Sequence, residues 1–200
     1  KAAPDREAAP PRRRPDWRVA VHEAGHAVAS FKLEHVDDAI RASVRPRAAG
    51  SLGVTVLGAP SDATLFSEAQ LRDRLVLLLA GRAAEAHVFD GDSSSGPSDD
   101  LAKAADLAKH IVADLGMSGL GAAAAVGDVD DAVRAELKRA EDRANDLVKA
   151  HDALLRAVAD AHLQHETLDG PGLRAILAPP PPPPDRRADR PPPARATAAA

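Results

Sequence analysis

The chain has 200 residues, a formal net charge of −4 and no cysteine. The lack of cysteine excludes disulfides and thiolate metal sites, so any metal must be held by imidazole and carboxylate groups. Residues 1–18 carry a net charge of +3 and residues 178–200 carry +2, which leaves −9 on the residues between them. So acidic a central region argues against nucleic acid as a partner.

The distribution of proline predicts the domain organisation. Thirteen of the 17 prolines lie before residue 16 or after residue 178. We therefore expect a disordered Pro/Arg-rich segment at 1–15, one folded domain at 16–177 and a disordered Pro-rich tail at 178–200. The apolar runs are far shorter than the roughly 20 residues that cross a bilayer, so this piece is expected to be soluble as given. Its first residue is lysine instead of methionine, which suggests a piece of a longer chain.

The first predicted elements are one helix and two strands. A helix is predicted from Asp16 to about Glu34, since apolar residues recur at helical spacing and Asp16 can cap its start. Gly25 inside it costs about 1 kcal/mol relative to alanine, which indicates that another group packs closely there. Two short runs, 39–44 and 52–57, then predict two strands joined by a loop.

The rest of the chain is predicted to be helical. A second helix is expected from Thr64 or Ser67 to Phe89, with Ser67 and Gln70 as a capping box. After a polar loop at 90–97, Ser98 is expected to cap a third helix that ends at Gly116. Further helices are predicted at about 129–150 and 151–165, with a last turn near 173–177. The predicted fold class is mainly α with a small β element.

The segment His22-Glu23-Ala24-Gly25-His26 is an H-E-x-x-H motif inside the first helix. Side chains four residues apart lie on the same face of a helix, so the two imidazoles can bind one zinc ion and leave a position open for water. A catalytic zinc lowers the pKa of water to about 7, and Glu23 can accept the proton when that water attacks a peptide carbonyl. The motif therefore predicts a helical zinc metallopeptidase domain with one Zn²⁺ per chain.

The third zinc ligand is not decided by spacing. Asp99 and Asp100 at the start of the third helix and Glu85 on the second helix are all candidates. The two aspartates are equally well explained as partners of the helix dipole.

The other histidines give weaker signals. His162 and His165, with Glu166, have the spacing of a second metal site, although packed or surface histidines are the more common explanation. Four more show no acidic partner at ligand spacing and are predicted to be surface or packed residues: His35, His87, His110 and His151.

Several blocks of sequence resemble the protease domain of the FtsH family, the membrane-anchored ATP-dependent zinc metalloproteases. The blocks occur in the family's order over about residues 16–177. They are His-Glu-Ala-Gly-His-Ala at 22–27, Val-Arg-Pro-Arg at 44–47, Leu-Gly-Val-Thr at 52–55, Leu-Ala-Gly-Arg-Ala-Ala-Glu at 79–85, Ser-Gly-Pro-Ser-Asp-Asp-Leu at 95–101, Gly-Met-Ser at 116–118, Leu-Gly at 120–121 and Glu-Thr-Leu-Asp-Gly at 166–170.

The resemblance implies specific roles and partners. It assigns the third zinc ligand to Asp100 and makes Glu85 a supporting residue near the ligands. It also implies a homo-hexameric ring, unfolded protein as substrate, an AAA+ ATPase partner and a location at the cytoplasmic or organelle-interior face of a membrane, reached only through segments missing from this chain. The strand at 52–57 is expected to offer an edge to an extended substrate peptide.

The sequence also departs from the family pattern. It contains no phosphate-binding loop motif, so the ATPase module is expected in the parent chain or in a separate protein. Val21 replaces the family's tyrosine, and Pro97 replaces an alanine before Asp100. Two alternatives remain: a free-standing, ATP-independent metallopeptidase, and a catalytically idle ring-forming scaffold.

Overall fold

The computed structural model describes residues 16–45, 53–58, 65–96, 98–118 and 126–178. The predicted disordered ends lie outside these ranges, apart from Ala178, and so does Pro97. The elements in chain order are α1 (Trp17–Lys32), β1 (Ala39–Ser43), β2 (Val54–Leu57), α2 (Glu68–Val88), α3 (Ser98–Lys109), α4 (Val126–Ala150), α5 (Asp152–His165), β3 (Thr167–Asp169) and α6 (Gly170–Leu177). The predicted fold class, mainly α with a small β element, is confirmed.

Helix α1 is the centre of the domain. Its start is capped by Asp16, whose side chain accepts a hydrogen bond from the backbone N–H of Arg18, and its central turns are almost wholly buried. It packs against α2 and α5, while the opposite side of α2 packs against α4. The apolar faces of these helices form the main hydrophobic core.

Gly25 lies where α1 crosses α2. A Cβ at this position would come within 2.5 Å of the Ala80 carbonyl oxygen and 2.7 Å of the Ala84 Cβ. The close packing predicted from this glycine is therefore confirmed. The short distance between the two helices brings the residues on α2 within reach of the histidines on α1.

The small sheet has the strand order β2-β1-β3, and both pairings are antiparallel. The two predicted strands are confirmed, but β3 was not predicted because three residues carry no clear alternating pattern. In the register of the sheet, Ala42 of β1 lies between Thr55 of β2 and Leu168 of β3. Strand β2 lies at one edge and also contacts α1.

Most helix boundaries lie within a few residues of the predicted ones, although α4 begins at Val126 instead of about 129 and α6 begins at Gly170 instead of about 173. The capping box of Ser67 and Gln70 is present at the start of α2. Ser98 is the first helical residue of α3, and the helix continues into a π-helical turn over His110–Asp114. Gly116 follows with φ of 63°, a conformation that glycine adopts readily, so the chain leaves the helix where predicted. None of the described helices is long and apolar enough to span a membrane.

The prediction that four histidines have no acidic partner at ligand spacing is wrong for His110, and the fold brings distant aspartates to His35 and His87. The ring of His35 lies 3.0 Å from Asp73, that of His87 lies 2.9 Å from Asp152, and that of His110 lies 2.8 Å from Asp114. Two of these aspartates are distant in sequence, so only folding brings them near. The Asp114 contact spans four residues of a helix and was visible in the spacing.

The second metal site suggested for His162, His165 and Glu166 does not form in the part of the chain that the structure describes. The His162 ring is fully buried and neither of its nitrogens has a hydrogen-bond partner. Only one group of three or more potential ligand residues converges among the described residues, and it lies on α1 and α3.

Candidate metal centre

His22 and His26 lie one turn apart on α1, and their Nε2 atoms are 3.0 Å apart. Asp100, in the first turn of α3, directs Oδ2 at the same point, 3.4 Å from Nε2 of His22 and 3.2 Å from Nε2 of His26. All three side chains are largely buried, with exposed fractions of 13%, 11% and 23%. Folding thus brings Asp100 to two histidines that precede it by 74 or more positions in the sequence.

The other ring nitrogens show which atoms are free to bind a cation. Nδ1 of His26 lies 2.9 Å from the carbonyl oxygen of Leu77, which can only accept a hydrogen bond, so Nδ1 carries the hydrogen. In a neutral ring, Nε2 then presents its lone pair to Asp100. Nδ1 of His22 donates in the same way to Oε1 of Glu85 at 3.0 Å. The shared point is therefore surrounded by electron-pair donors, which is unfavourable without a positive charge among them.

The pKa values of these groups also indicate that a positive charge is favoured at the cluster. Burial lowers the pKa of His22, but its hydrogen bonds to Asp100 and Glu85 outweigh burial and raise the pKa to about 9. Burial of Asp100 acts to raise its pKa, yet the two histidines hold the pKa of that carboxyl well below its usual range. A proton or a metal ion at the cluster is favoured by its surroundings.

The dimensions of the cluster fit a zinc ion. Bonds of about 2.0 to 2.1 Å in tetrahedral geometry place neighbouring ligand atoms roughly 3.3 to 3.4 Å apart. The three separations in the cluster are 3.0, 3.2 and 3.4 Å. Two imidazoles and one carboxylate are also a donor set used by catalytic zinc, which keeps one position open.

The three acids that the sequence left as candidates occupy different places. Asp100 is at the convergence point, whereas Asp99 is exposed to solvent. Glu85 reaches the far nitrogen of His22 instead of the cluster itself. Such carboxylate–histidine pairs fix the orientation of a ligand ring.

Glu85 is nearly inaccessible, with 1% of the residue exposed, and it is held by several donors. The backbone N–H of Ser94 donates to Oε2 at 2.8 Å, the Ser94 hydroxyl donates to Oε1 at 3.2 Å, and Arg18 donates to Oε2 at 3.3 Å. Although burial acts to raise its pKa, the bonds from His22 and Ser94 lower the pKa well below the usual value. Glu85 is therefore ionised beside His22.

Glu23 faces the sheet from the same turn of α1. Its Oε2 accepts a hydrogen bond from the Thr55 hydroxyl at 2.7 Å, and only 5% of the residue is exposed. Burial raises the pKa of Glu23, an effect that the neighbouring histidines and Thr55 partly oppose. A buried carboxylate with a raised pKa is a stronger base than an exposed one, which suits a group that accepts a proton.

Gly81 on α2 provides the space for both imidazoles. A Cβ at this position would lie 2.5 Å from Cε1 of His22 and 2.6 Å from Nε2 of His26. Both distances are far inside van der Waals contact. A side chain of any size at residue 81 is incompatible with the present ring positions.

Sequence reasoning missed several residues around the cluster. Thr55 and Gly81 lay in blocks that carried the family resemblance, but nothing in a single sequence indicated what they contact. The Leu77 carbonyl is a backbone group with no side-chain signal. Arg18 lies four residues before His22, a helical spacing that could have drawn attention to it.

Comparison with known proteins confirms the resemblance seen in the sequence. The model of peptidase family M41 matches residues 12–128. ATP-dependent zinc metalloprotease FtsH 2 from Sorangium cellulosum is 36% identical over 190 residues, which cover 80% of this chain and 31% of the relative. ATP-dependent zinc metalloprotease FtsH from Pseudomonas putida is 50% identical over 100 residues, covering 50% of this chain and 16% of the relative.

A more distant source gives a similar match. ATP-dependent zinc metalloprotease YME1L from Drosophila melanogaster is 34% identical over 192 residues, covering 87% of this chain and 26% of the relative. The chain thus spans less than a third of the length of these relatives.

Proposed function

Because this chain belongs to peptidase family M41, we propose that it is the proteolytic module of an FtsH-type protease. In this proposal it is a zinc-dependent endopeptidase domain that cleaves peptide bonds in unfolded protein segments. His22, His26 and Asp100 hold one Zn²⁺, Glu23 is the catalytic base and Glu85 supports His22.

The observation that carries the proposal is the convergence of three electron-pair donors on one point. Their separations of 3.0 to 3.4 Å match the edges of a zinc tetrahedron, and both far nitrogens already donate to Leu77 and Glu85. Two imidazoles and a carboxylate that converge in this way, with both far nitrogens already bonded, are typical of a zinc site.

Zinc held by His22, His26 and Asp100 would supply Lewis-acid chemistry for a water molecule and the substrate carbonyl. Glu23 then accepts the proton of the attacking water and returns it to the departing amine. The Thr55 hydroxyl holds Oε2 of Glu23, which restricts the carboxylate to one orientation. Burial of the cluster limits competing hydration and strengthens each of these interactions.

Strand β2 supports a role in holding substrate. Among the described residues it pairs only with β1, so its other edge offers backbone groups to an extended peptide. Thr55 of this strand bonds Glu23, so a peptide added to the edge would run beside the catalytic base. Backbone pairing of this kind tolerates many side chains, which suits unfolded protein as a substrate.

The proposal extends to partners by analogy with the relatives, whose names describe ATP-dependent proteases. An AAA+ ATPase module, in the same parent chain or in a separate protein, is proposed to deliver unfolded segments. The proteolytic modules are proposed to assemble as a homo-hexamer. A location at the cytoplasmic or organelle-interior face of a membrane is proposed from the resemblance to the FtsH family.

The catalytic role of Glu23 is tested by Glu23→Gln. This variant is expected to bind zinc with unchanged stoichiometry and to lose cleavage of unfolded casein by about 100-fold or more, because the base is removed while the ligands stay. Metal analysis and casein cleavage are measured on the same sample. Retained cleavage would exclude the proposed mechanism.

The metal ligands are tested by a matched pair of neighbouring variants. With zinc added at about one equivalent per chain, the Asp100→Asn variant is expected to bind none. The Asp99→Asn variant, changed at an exposed carboxylate, is expected to bind zinc as the wild type does. Equal behaviour of the two variants would contradict the ligand assignment. A wild-type protein that binds no zinc would exclude both the metal centre and the scheme built on it.

The same preparations distinguish the two alternatives. A free-standing metallopeptidase cleaves flexible peptides without any ATPase, and its cleavage of folded protein does not increase when an ATPase and ATP are added. A ring-forming scaffold assembles but cleaves neither. The proposed module cleaves unfolded casein by itself and folded protein only when the ATPase and ATP are added.

A further inference from the structure

Arg18 connects three parts of the fold around the cluster. It lies on α1 one turn before His22, and its guanidinium donates to Oε2 of Glu85 on α2 at 3.3 Å. The same guanidinium donates to Oδ2 of Asp92 at 2.7 Å and to its carbonyl oxygen at 3.4 Å. The guanidinium carbon also lies 4.0 Å from the centroid of the Phe89 ring.

These contacts fix the loop of residues 90–96, which precedes α3 and Asp100. The loop begins with two residues at positive φ, Asp90 at 52° and Gly91 at 92°, and its first turn is closed by backbone hydrogen bonds from Gly91 to Ala86 and from Asp92 to Phe89. Arg18 holds it through Asp92, and Glu85 holds it through the backbone and hydroxyl of Ser94. Arg18 and Glu85 therefore join the loop to α1 and α2 as a single network.

The charge of Arg18 matters because Glu85 is a buried carboxylate bonded to the His22 ring. Among the bonded partners of Glu85 in the described residues, Arg18 supplies the guanidinium, 3.3 Å from Oε2, whereas Ser94 supplies a backbone N–H and a hydroxyl. A planar guanidinium can donate to Glu85 and Asp92 at once while its face covers Phe89. A lysine carries the charge but cannot present this geometry.

We propose that Arg18 is a positioning residue for the metal centre, acting through Glu85 on the His22 ring and through Asp92 on the loop that leads to Asp100. This inference rests on the proposed function, because it assumes that His22 and Asp100 bind zinc. Arg18 itself touches neither the cluster nor the substrate. Its effect is to hold His22 on α1 and Asp100 on α3 in the relative positions that zinc binding requires.

The consequence is a graded loss of metal affinity when Arg18 is changed. Removing outer partners of a metal ligand typically weakens binding by about 10- to 100-fold. Arg18→Gln is expected to weaken zinc binding by about 10-fold, the lower end of that range, because Ser94 continues to hold Glu85. Arg18→Lys is expected to recover part of the loss, since the charge beside Glu85 is kept.

The test measures zinc affinity of the folded protein by competition with a chromogenic chelator, at a temperature where each variant is folded by circular dichroism. Arg156→Gln is the matched control, because the Arg156 side chain is 49% exposed and its ion pair with Asp152, one helical turn away on α5, involves neither the cluster nor Glu85. The double variant Arg18→Gln/Glu85→Gln separates direct from indirect action. If Arg18 acts through Glu85, Arg18→Gln changes affinity much less in the Glu85→Gln background than alone.

The outcomes separate positioning from general stabilisation. Weakened zinc binding for Arg18→Gln, partial recovery with lysine and normal binding for Arg156→Gln support the proposal. A lower unfolding temperature with unchanged zinc affinity overturns it, and fully additive effects with Glu85→Gln overturn the action through Glu85. If Arg18→Gln does not fold, the comparison of Arg18→Lys with wild type decides. Absence of zinc binding in the wild type contradicts the proposed function itself.

Discussion

The role of Gly81 leads to the sharpest prediction about this domain. Gly81→Ala adds one methyl group where a Cβ would lie 2.6 Å from Nε2 of His26 and 2.5 Å from Cε1 of His22. Ordinary contacts begin near 3.4 Å, so the His26 nitrogen must move by about 0.8 Å. The imidazoles are the far ends of side chains, so they can move, but only by leaving their hydrogen bonds to Leu77 and Glu85.

Two opposing effects determine the stability of the metal-free variant. Replacing a glycine by alanine in a helix interior stabilises by about 1 kcal/mol. Overpacking typically costs about 1 to 3 kcal/mol. We therefore expect the metal-free protein to lose between about 0 and 2 kcal/mol. Zinc binding is expected to weaken more than the fold, because the distance from zinc to a ligand atom varies by only about 0.2 Å. The displacement of the His26 nitrogen by about 0.8 Å is several times larger. Zinc affinity is expected to fall by at least about 100-fold.

The assay pairs chelator competition with urea unfolding in the absence of metal. Gly25→Ala is the matched comparison, since it is also an α-helical glycine but its Cβ would meet the backbone of Ala80 at 2.5 Å. A backbone atom cannot swing aside, so Gly25→Ala is expected to destabilise the metal-free fold far more than Gly81→Ala. Zinc affinity of Gly81→Ala within twofold of wild type would refute the reasoning.

Two further predictions concern buried polar groups. Burial lowers the pKa of His162 to about 4. Between pH 6.5 and 4 the unfolded chain therefore binds more protons at this residue than the folded chain does. The free energy of unfolding is expected to fall by up to about 3 kcal/mol as the pH is lowered through this range. His162→Leu is expected to remove that part of the pH dependence, measured as the free energy of unfolding of the variant and the wild type against pH in the presence of chelator. An identical pH dependence for the two proteins would show that His162 takes up its proton equally in the folded and unfolded states. Thr55→Val removes the hydroxyl that donates to Glu23 and is expected to lower kcat for peptide cleavage by roughly 10- to 100-fold with zinc affinity unchanged, because a hydrogen bond to a charged group contributes about 1.5 to 3 kcal/mol. Thr55→Ser keeps the donor and is expected to recover most of the activity, and a valine variant with normal kcat would count against the orienting role.

Local sequence signals located most of the secondary structure. The cap at Asp16, the Ser67–Gln70 capping box and the conformation of Gly116 each depend on residues within a few positions of one another. The pairing of His22 with His26 is of the same kind, because a four-residue spacing on a helix brings two side chains together wherever the helix lies. Strand β3 and the π-helical turn were missed because neither has a distinctive local pattern.

What the sequence determined by itself was the helix that presents two imidazoles and a carboxylate, and the blocks that reveal the family. Only the tertiary structure decided what surrounds them. It brings Asp100 to the two Nε2 atoms, Glu85 and the Leu77 carbonyl to the two Nδ1 atoms, and Thr55 to Glu23. The reason is distance along the chain, because these contacts join residues 32 to 78 positions apart. They depend on how closely α1 and α2 pack at Gly25, on the path of the loop before α3 and on the register of the sheet.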